Sequence, residues 1–426
     1  MEQLSYRQQF TNDRLFVSNN TCFYAAVAYY MVLKILDYSF YASVPFISFI
    51  DGDIRLAVVC IGLIVVNEWI NRQSRYDLKT LAVFAVLLIL SVIVLVKSGK
   101  PVPLTLLAFI FGARNVDLNK VLRICLYTSL GMLAFIVLSS LIGVIPNYVD
   151  EAPNRNRQFL GFLYALYAPQ IVFNCTLIYL IVRRNAVKFL PVLGFIVLAL
   201  GCYFATDSRS LVVLTCLVAL LGYCYSRWAA GLARSRVSRF THAFFSWLTF
   251  PVALIASFVF PLIITNHFSI VTYVINKALG SRMSLSQKAI DTYGISIFGN
   301  DIEWSGAGLS AKGMSNGLNQ YNYVDSTFVK ACLDYGIVFV IAMVVTYTLL
   351  MVRESRHRQY VVVLVLFILA IHAFFDNLFL ILCFNSLWFC AVYLVRDLRN
   401  YRRAPSAGRH VDADLELSKK SRSLVF

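Results

Sequence analysis

TLAVFAVLLILSVIVLVK, residues 80–97, carries a single charge, Lys97 at its end, in a run of eighteen residues. Coiled as an α-helix at about 1.5 Å per residue, such a run approaches the roughly 30 Å of a bilayer's hydrocarbon core. Comparable apolar runs lie at 22–40, 54–71, 101–113, 121–145, 160–182, 189–206, 210–226, 244–266, 327–352, 360–375 and 378–395, twelve candidate spans in all. The run at 101–113 is too short to cross unaided and reads as tilted or re-entrant among other helices. The composition agrees. Of 426 residues, 59% are hydrophobic and 14% charged, with mean hydropathy +0.70. A soluble domain is nearer half apolar and a quarter charged. The expected fold is all-α: a polytopic helical bundle over residues 1–400, with a polar, basic and disordered cytoplasmic tail at 401–426.

The net charge of +16 is a topological signal here and does not indicate nucleic acid. With the N-terminus inside, every other connection is basic. These connections hold Arg72, Arg75 and Lys79; Arg114, Lys120 and Arg123; Arg183, Arg184 and Lys188; Arg227, Arg234, Arg236 and Arg239; and Arg353, Arg356 and Arg358. The opposite connections are poorer in lysine and arginine, and the first carries Asp37, Asp51 and Asp53. Basic loops stay on the cytoplasmic side, so the pattern predicts an N-in, C-in orientation. The N-terminal MEQLSYRQQFTNDRLF lacks the apolar region and cleavage site of a signal peptide. The ten cysteines are scattered within apolar runs, with no CxxC or Cys/His cluster, so neither disulfides nor a metal site is expected.

One connection is far longer than the rest. Residues 267–327 form a polar insert that reads GSRMSLSQKAIDTYGISIFGNDIEWSGAGLSAKGMSNGLNQYNYVDSTF from Gly280 to Phe328. Long loops between short ones are where binding and catalysis concentrate. By the charge pattern this loop faces away from the cytoplasm. Positive residues are fewer on that side, and those singled out are Arg155 and Arg157 in NYVDEAPNRNRQFLG, Arg209 in ATDSRSLVV, and Arg282 and Lys288 in the loop. A guanidinium donates two hydrogen bonds at once and suits phosphate. The plainer readings are an interfacial anchor or Asp207 pair for Arg209, neighbouring acids for Arg155 and Arg157, and a solvated charge for Arg282. Asp325 stands immediately before a span, where partial burial raises a carboxyl towards the range of a general base. Its plainer reading is the helix N-cap. His267 is a rival base. Tyr293, Trp304, Tyr321 and Tyr323 offer aromatic faces to sugars. No Walker A and no GxGxxG after a strand is present, so nucleotide use is not expected.

The run from Arg282 through Ala289, Tyr293–Gly294 and Phe298–Gly299 to Val324–Asp325–Ser326, then Leu333 and Tyr335–Gly336–Ile337, resembles Wzy-type polysaccharide repeat-unit polymerases. RNRQFLGFLYALYAPQ (155–170), DSRSLVVL (207–214) and FFDNLFLILCFNSLWF (374–389) are similar to further short stretches of that family. The spacing departs from its arginine–glycine motif, because Gly294 lies one residue too far from Arg282. The resemblance implies a GT-C-like membrane glycosyltransferase related to the O-antigen ligases. It implies metal-independent, inverting transfer between polyprenyl-diphosphate-linked oligosaccharides at the outer face of a bacterial cytoplasmic membrane. It further implies work beside membrane lipid, a repeat-unit flippase and a chain-length regulator, with no cofactor. By motif position Asp325, Arg282 and Arg209 are its catalytic candidates. Arg155, Arg157, Lys288, Tyr323 and His267 are candidates for holding diphosphate or sugar. Asp325 stands where the related ligases carry a histidine. The alternatives are a ligase-like transferase with another acceptor and a repeat-unit flippase or transporter.

Overall fold

The computed structural model describes residues 20–45, 47, 52–71, 78–152, 155–266, 276, 282–310, 312–314 and 321–400. His267, the arginines of the first 19 residues and the tail from 401 lie outside the described residues. Among those described there are thirteen α-helices. They are α1 (Thr21–Asp37), α2 (Asp53–Ile70), α3 (Leu78–Ser98), α4 (Val102–Gly112), α5 (Leu118–Leu141), α6 (Tyr167–Arg183) and α7 (Phe189–Thr206). There follow α8 (Arg209–Arg234), α9 (Arg236–Asn266), α10 (Arg282–Tyr293), α11 (Thr327–Arg356), α12 (Tyr360–Phe375) and α13 (Val392–Asn400).

Six of these helices, α3, α5, α7, α8, α9 and α11, are long and apolar enough to cross a membrane. The protein is a helical membrane protein. Its apolar surface is distributed as a bilayer requires. The apolar windows of α3 and α9 are each only 17% buried, and Val96 and Phe204 remain 77% and 82% exposed. In water such faces would be unstable, whereas against lipid tails they cost nothing. The protein's own interior is built around α6 and α12, where nearly every residue is buried.

Helix limits follow from local chemistry. Asp117 caps α5, its side chain accepting the Asn119 N–H at 2.9 Å. Pro101 and Pro103 open α4, where backbone N–H groups have no helical acceptor in any case. The eleven residues of α4 span about 16 Å, too short to cross alone, and the helix is packed between α2, α3 and residues 386–391.

The helical class holds with one addition, a short hairpin, and one expected span is corrected. The chain is not purely α-helical, because Val149–Ala152 (β1) and Arg155–Gln158 (β2) pair as an antiparallel hairpin. Asp150 lies opposite Arg157 in it, a cross-strand pairing of opposite charge that favours the ladder. The expected span at 378–395 is not a continuous helix. It is a 3-10 turn at Leu378–Leu380, an irregular segment, a second 3-10 helix at Ser386–Ala391, and then α13. Two asparagines explain the break. Asn385 donates to the Phe379 carbonyl at 2.9 Å and to the Tyr347 hydroxyl at 3.0 Å. Asn174 of α6 donates to the Cys383 carbonyl at 3.0 Å and accepts the Ser386 N–H at 3.0 Å. Irregular backbone survives at membrane depth only where protein supplies such partners.

The long loop is anchored inside α11. Gly336 interrupts that helix at φ 86°, ψ 167°. Residues 296–300 fill the break: the Asn300 N–H donates to the Leu333 carbonyl at 3.0 Å and the Ile337 N–H to the Ser296 carbonyl at 3.1 Å. The Phe298–Gly299 and Tyr335–Gly336–Ile337 stretches, nearly forty residues apart, therefore meet. A Cβ on Gly336 would overlap the Ile297 carbonyl, and one on Gly299 the Asp334 carbonyl. Gly336→Ala combines that overlap with a backbone region open to glycine alone, and should cost about 2–5 kcal/mol. Thermal unfolding in detergent checks this, and an unchanged melting temperature would contradict the anchoring.

Candidate functional site

Arg282 is the first residue of α10 and reaches two elements at once. Its Nε lies 3.0 Å from the Asp325 carboxylate, and its NH1 donates to the Phe375 carbonyl at 2.7 Å. It thus ties the loop, the start of α11 and the end of α12 into one corner. Asp325 is not the N-cap of α11. Ser326 holds that position and makes no side-chain capping bond; its buried hydroxyl has no protein partner. The Asp325 side chain is free for Arg282 because the cap position falls one residue later. Burial raises the Asp325 carboxyl above its ordinary range; Arg282 opposes the rise, Asp376 adds to it, and Lys330 opposes it. Behind this corner, His372 Nε2 lies 2.9 Å from the Gln170 amide oxygen and 4.0 Å from Asp376.

Next to this corner is a cavity of about 210 Å³, bounded by the C-terminal end of α1, the N-terminal ends of α2, α4 and α11, and residues 377–381. Tyr323, Thr327 and Asn377 line it and connect it to the Asp325 corner: the Thr327 hydroxyl donates to the Asp376 carbonyl, and the Asn377 amide donates to the Val324 carbonyl at 3.1 Å. Its charges are Lys34, Lys100, Lys330, Asp53 and Asp334, surrounded by tyrosines and Trp304. Lys34 is held between Asp37 and Asp53, both at 2.6 Å. Lys100 pairs with Asp334 and also donates to the Ile302 carbonyl at 3.0 Å. Asp334 accepts the Trp304 indole N–H at 2.8 Å as well. Lys330 differs. Its ammonium lies 4.1 Å from the centre of the Tyr323 ring and 5.3 Å from that of Trp304. It makes no ion pair among the described residues. Lys34 and Lys100 are thus matched by three carboxylates, and Lys330 is the one ammonium here without an ion pair among the described residues; with its aromatic walls it suits an anionic group on a ligand that also carries an apolar or sugar surface.

This lysine-lined cavity is absent from the reading of the sequence, though a signal for it exists. Lys34 interrupts YMVLKILD, and Lys330 and Asp334 interrupt FVKACLDYG at a spacing that places both on one helix face. Charges inside apolar helices are costly and mark function by default. Lys100 carries no such signal, because it sits beside Gly99 in what reads as an ordinary connection.

The remaining candidates are dispersed. Arg209 is 77% exposed, with its Nε 3.1 Å from Asp207, and it contacts neither Arg282 nor Asp325 nor the cavity wall. Arg157 in β2 has a buried Nε without a hydrogen-bond partner. The Arg155 side chain is outside the described residues, although its backbone pairs with Ala152. Lys288 is exposed on α10, and Tyr323 is a wall of the cavity. Of the eight candidate residues, Arg282, Asp325 and Tyr323 are brought together. No family model, no curated protein and no solved structure matches this chain.

Removing the Arg282 guanidinium takes away the largest influence holding the Asp325 carboxyl down. In Arg282→Ala the carboxyl should therefore keep its proton to higher pH than in the parent. Infrared titration of the carboxyl C=O band, assigned by its loss in Asp325→Asn, measures this. A band that titrates unchanged would rule out the pairing.

Proposed function

We propose that the protein is a membrane glycosyltransferase that joins polyprenyl-diphosphate-linked oligosaccharides into a polysaccharide. The observation that carries this reading is the lysine-lined, aromatic-walled cavity adjoining the Arg282–Asp325 pair. A diphosphate leaving group requires cations, and Lys330, free of a carboxylate partner among the described residues, together with Arg282 provides them. Tyr323 and Trp304 offer ring faces to sugar C–H surfaces. The alternation of basic loops supports placing this end of the bundle at the extracytoplasmic face.

In this mechanism the acceptor hydroxyl attacks the anomeric carbon of the donor from the side opposite the diphosphate. The new glycosidic C–O bond forms as the C–O bond to phosphate breaks, and the electron pair leaves on the diphosphate. The hydroxyl proton passes to Asp325. A carboxyl raised by burial is a better proton acceptor than a free one, and a positioned base contributes about 100- to 10,000-fold. Arg282 both orients Asp325 and offsets charge at the corner where the proton arrives. The cavity itself supplies proximity, holding the two sugars against one another.

The buried lysines also suit a second reading, a transporter for an anionic lipid-linked sugar. Transporter sites sit near the bilayer midplane. Lys330 and Asp334, by contrast, lie only about 5 and 10 Å along α11 from its first residue, near one end of a thirty-residue helix. That position favours chemistry at the surface over carriage through the middle. A ligase-like enzyme would share the geometry and differ in its acceptor.

Purified protein incubated with lipid-linked repeat units, without nucleotide sugar, should yield a ladder of lengthening glycans. Counterflow in liposomes with no ladder would instead identify a transporter, and transfer only to a different lipid acceptor would identify a ligase. Within the polymerase reading, Asp325→Asn should slow extension by at least about 100-fold at unchanged protein level. Lys330→Met should weaken donor binding by about 10- to 100-fold through loss of a charge-assisted contact. Wild-type extension by either variant would remove that residue from the mechanism.

A further inference from the structure

At the opposite end of α11 from the lysine cavity lies a second cavity, of about 250 Å³, between α9 and the turn joining α11 to α12. Arg239, Arg356 and Arg358 line it together with Trp247 and Tyr360. None of the three arginines makes an ion pair among the described residues. The nearby acids are occupied elsewhere: Arg353 holds Glu354 at 2.5 Å and Asp397 at 2.6 Å. Tyr360 is 1% exposed, stacks near His242 with ring centres 4.2 Å apart, and has a buried hydroxyl with no hydrogen-bond partner. Tyr360 lines the cavity with its ring, and its hydroxyl is sealed within the protein. The same point is the start of the sixteen-residue α12, whose N-cap Gln359 makes no side-chain capping bond and accepts the Val362 and Val363 N–H groups on its carbonyl, leaving a positive dipole end there. Arg358 is held in the left-handed region at φ 58°, which an arginine adopts only at a cost. Its N–H donates to the Ser355 carbonyl at 2.9 Å, fixing the turn.

These features converge on an anion, and the surroundings indicate which kind. Arg239, Ala243 and Trp247 recur every fourth residue and form one face of α9. Trp247 is 50% exposed there, and beside this face Phe240 and Phe244 are 72% and 52% exposed on a helix whose apolar window is largely unburied. A bound headgroup phosphate would thus have its acyl chains lying along an open apolar surface. A free phosphate would gain nothing from that surface. We propose that this cavity binds the phosphate of an anionic phospholipid, with Arg239, Arg356 and Arg358 as donors beside the positive end of the α12 dipole. The site is independent of the glycosyltransferase reading, because it uses none of the same residues.

Native mass spectrometry of the full chain, released from micelles containing equal phosphatidylglycerol and phosphatidylcholine, tests this. The protein should retain phosphatidylglycerol at least 10-fold over phosphatidylcholine, with about 5-fold of the preference lost per arginine removed. Arg358→Gly suits the test because glycine keeps the left-handed turn while removing the guanidinium, so the fold survives. Arg239→Ala with Arg358→Gly should abolish most of the preference. Equal retention of the two lipids, or an unaltered preference in the double variant, would overturn the proposal. Displacement of phosphatidylglycerol by low millimolar inorganic phosphate would overturn the assignment to lipid, showing that the site reads phosphate alone.

Discussion

In hydrocarbon no water completes a backbone hydrogen bond, so every N–H and C=O must find its partner within the protein. Residues 376–391 show what this demands when the chain leaves the helical path. Asn385, Asn174 and the Trp388 indole, which donates to the Phe379 carbonyl at 2.9 Å, satisfy the irregular backbone from three directions. The surrounding helices are packed so closely on this segment that nearly all of it is buried. Because it is held, Asp376 and Asn377 are held, and with them the wall shared by the lysine cavity and the Arg282–Asp325 corner.

The second dependency is the break in α11. A continuous helix past Gly336 would leave no room for residues 296–300, and the loop would have no fixed relation to the bundle. With the loop seated there, Trp304 and Ile302 come to Lys100 and Asp334, and Tyr323 comes to Lys330. Charges that would be costly as isolated groups inside apolar helices are paired in separate groups that line one cavity. The two ends of α11 then differ in kind. One end gathers lysines, carboxylates and aromatic rings; the other presents unpaired arginines beside an open apolar face.

The helical class, the limits of most helices and the presence of one long polar insert were legible in the sequence, because length and polarity are properties of contiguous residues. Arg282 and Asp325 were legible too, as a cation and an acid at the two ends of one polar insert. Their mutual contact was not, since 43 positions separate them. The pairing of Lys100 with Asp334 joins residues 234 positions apart, and no local pattern announces it. The break at 378–391 was missed because its composition, FLILCFNSLWF, is that of a span with neither proline nor glycine. Arg209 reads in the sequence as a charge isolated between apolar runs, and the structure places it exposed, with its Nε 3.1 Å from Asp207.

By itself the sequence determined that this chain lives in a membrane, that its helices are apolar where they meet lipid, and that its polar residues are concentrated at their ends. Those facts follow from the transfer energies of side chains taken one by one, which no fold can alter. The tertiary structure alone decided which charges became neighbours and which side chains completed the irregular backbone. Contact between distant residues depends on how helices pack and where they break, and both are set by the sum of many weak interactions across the whole bundle.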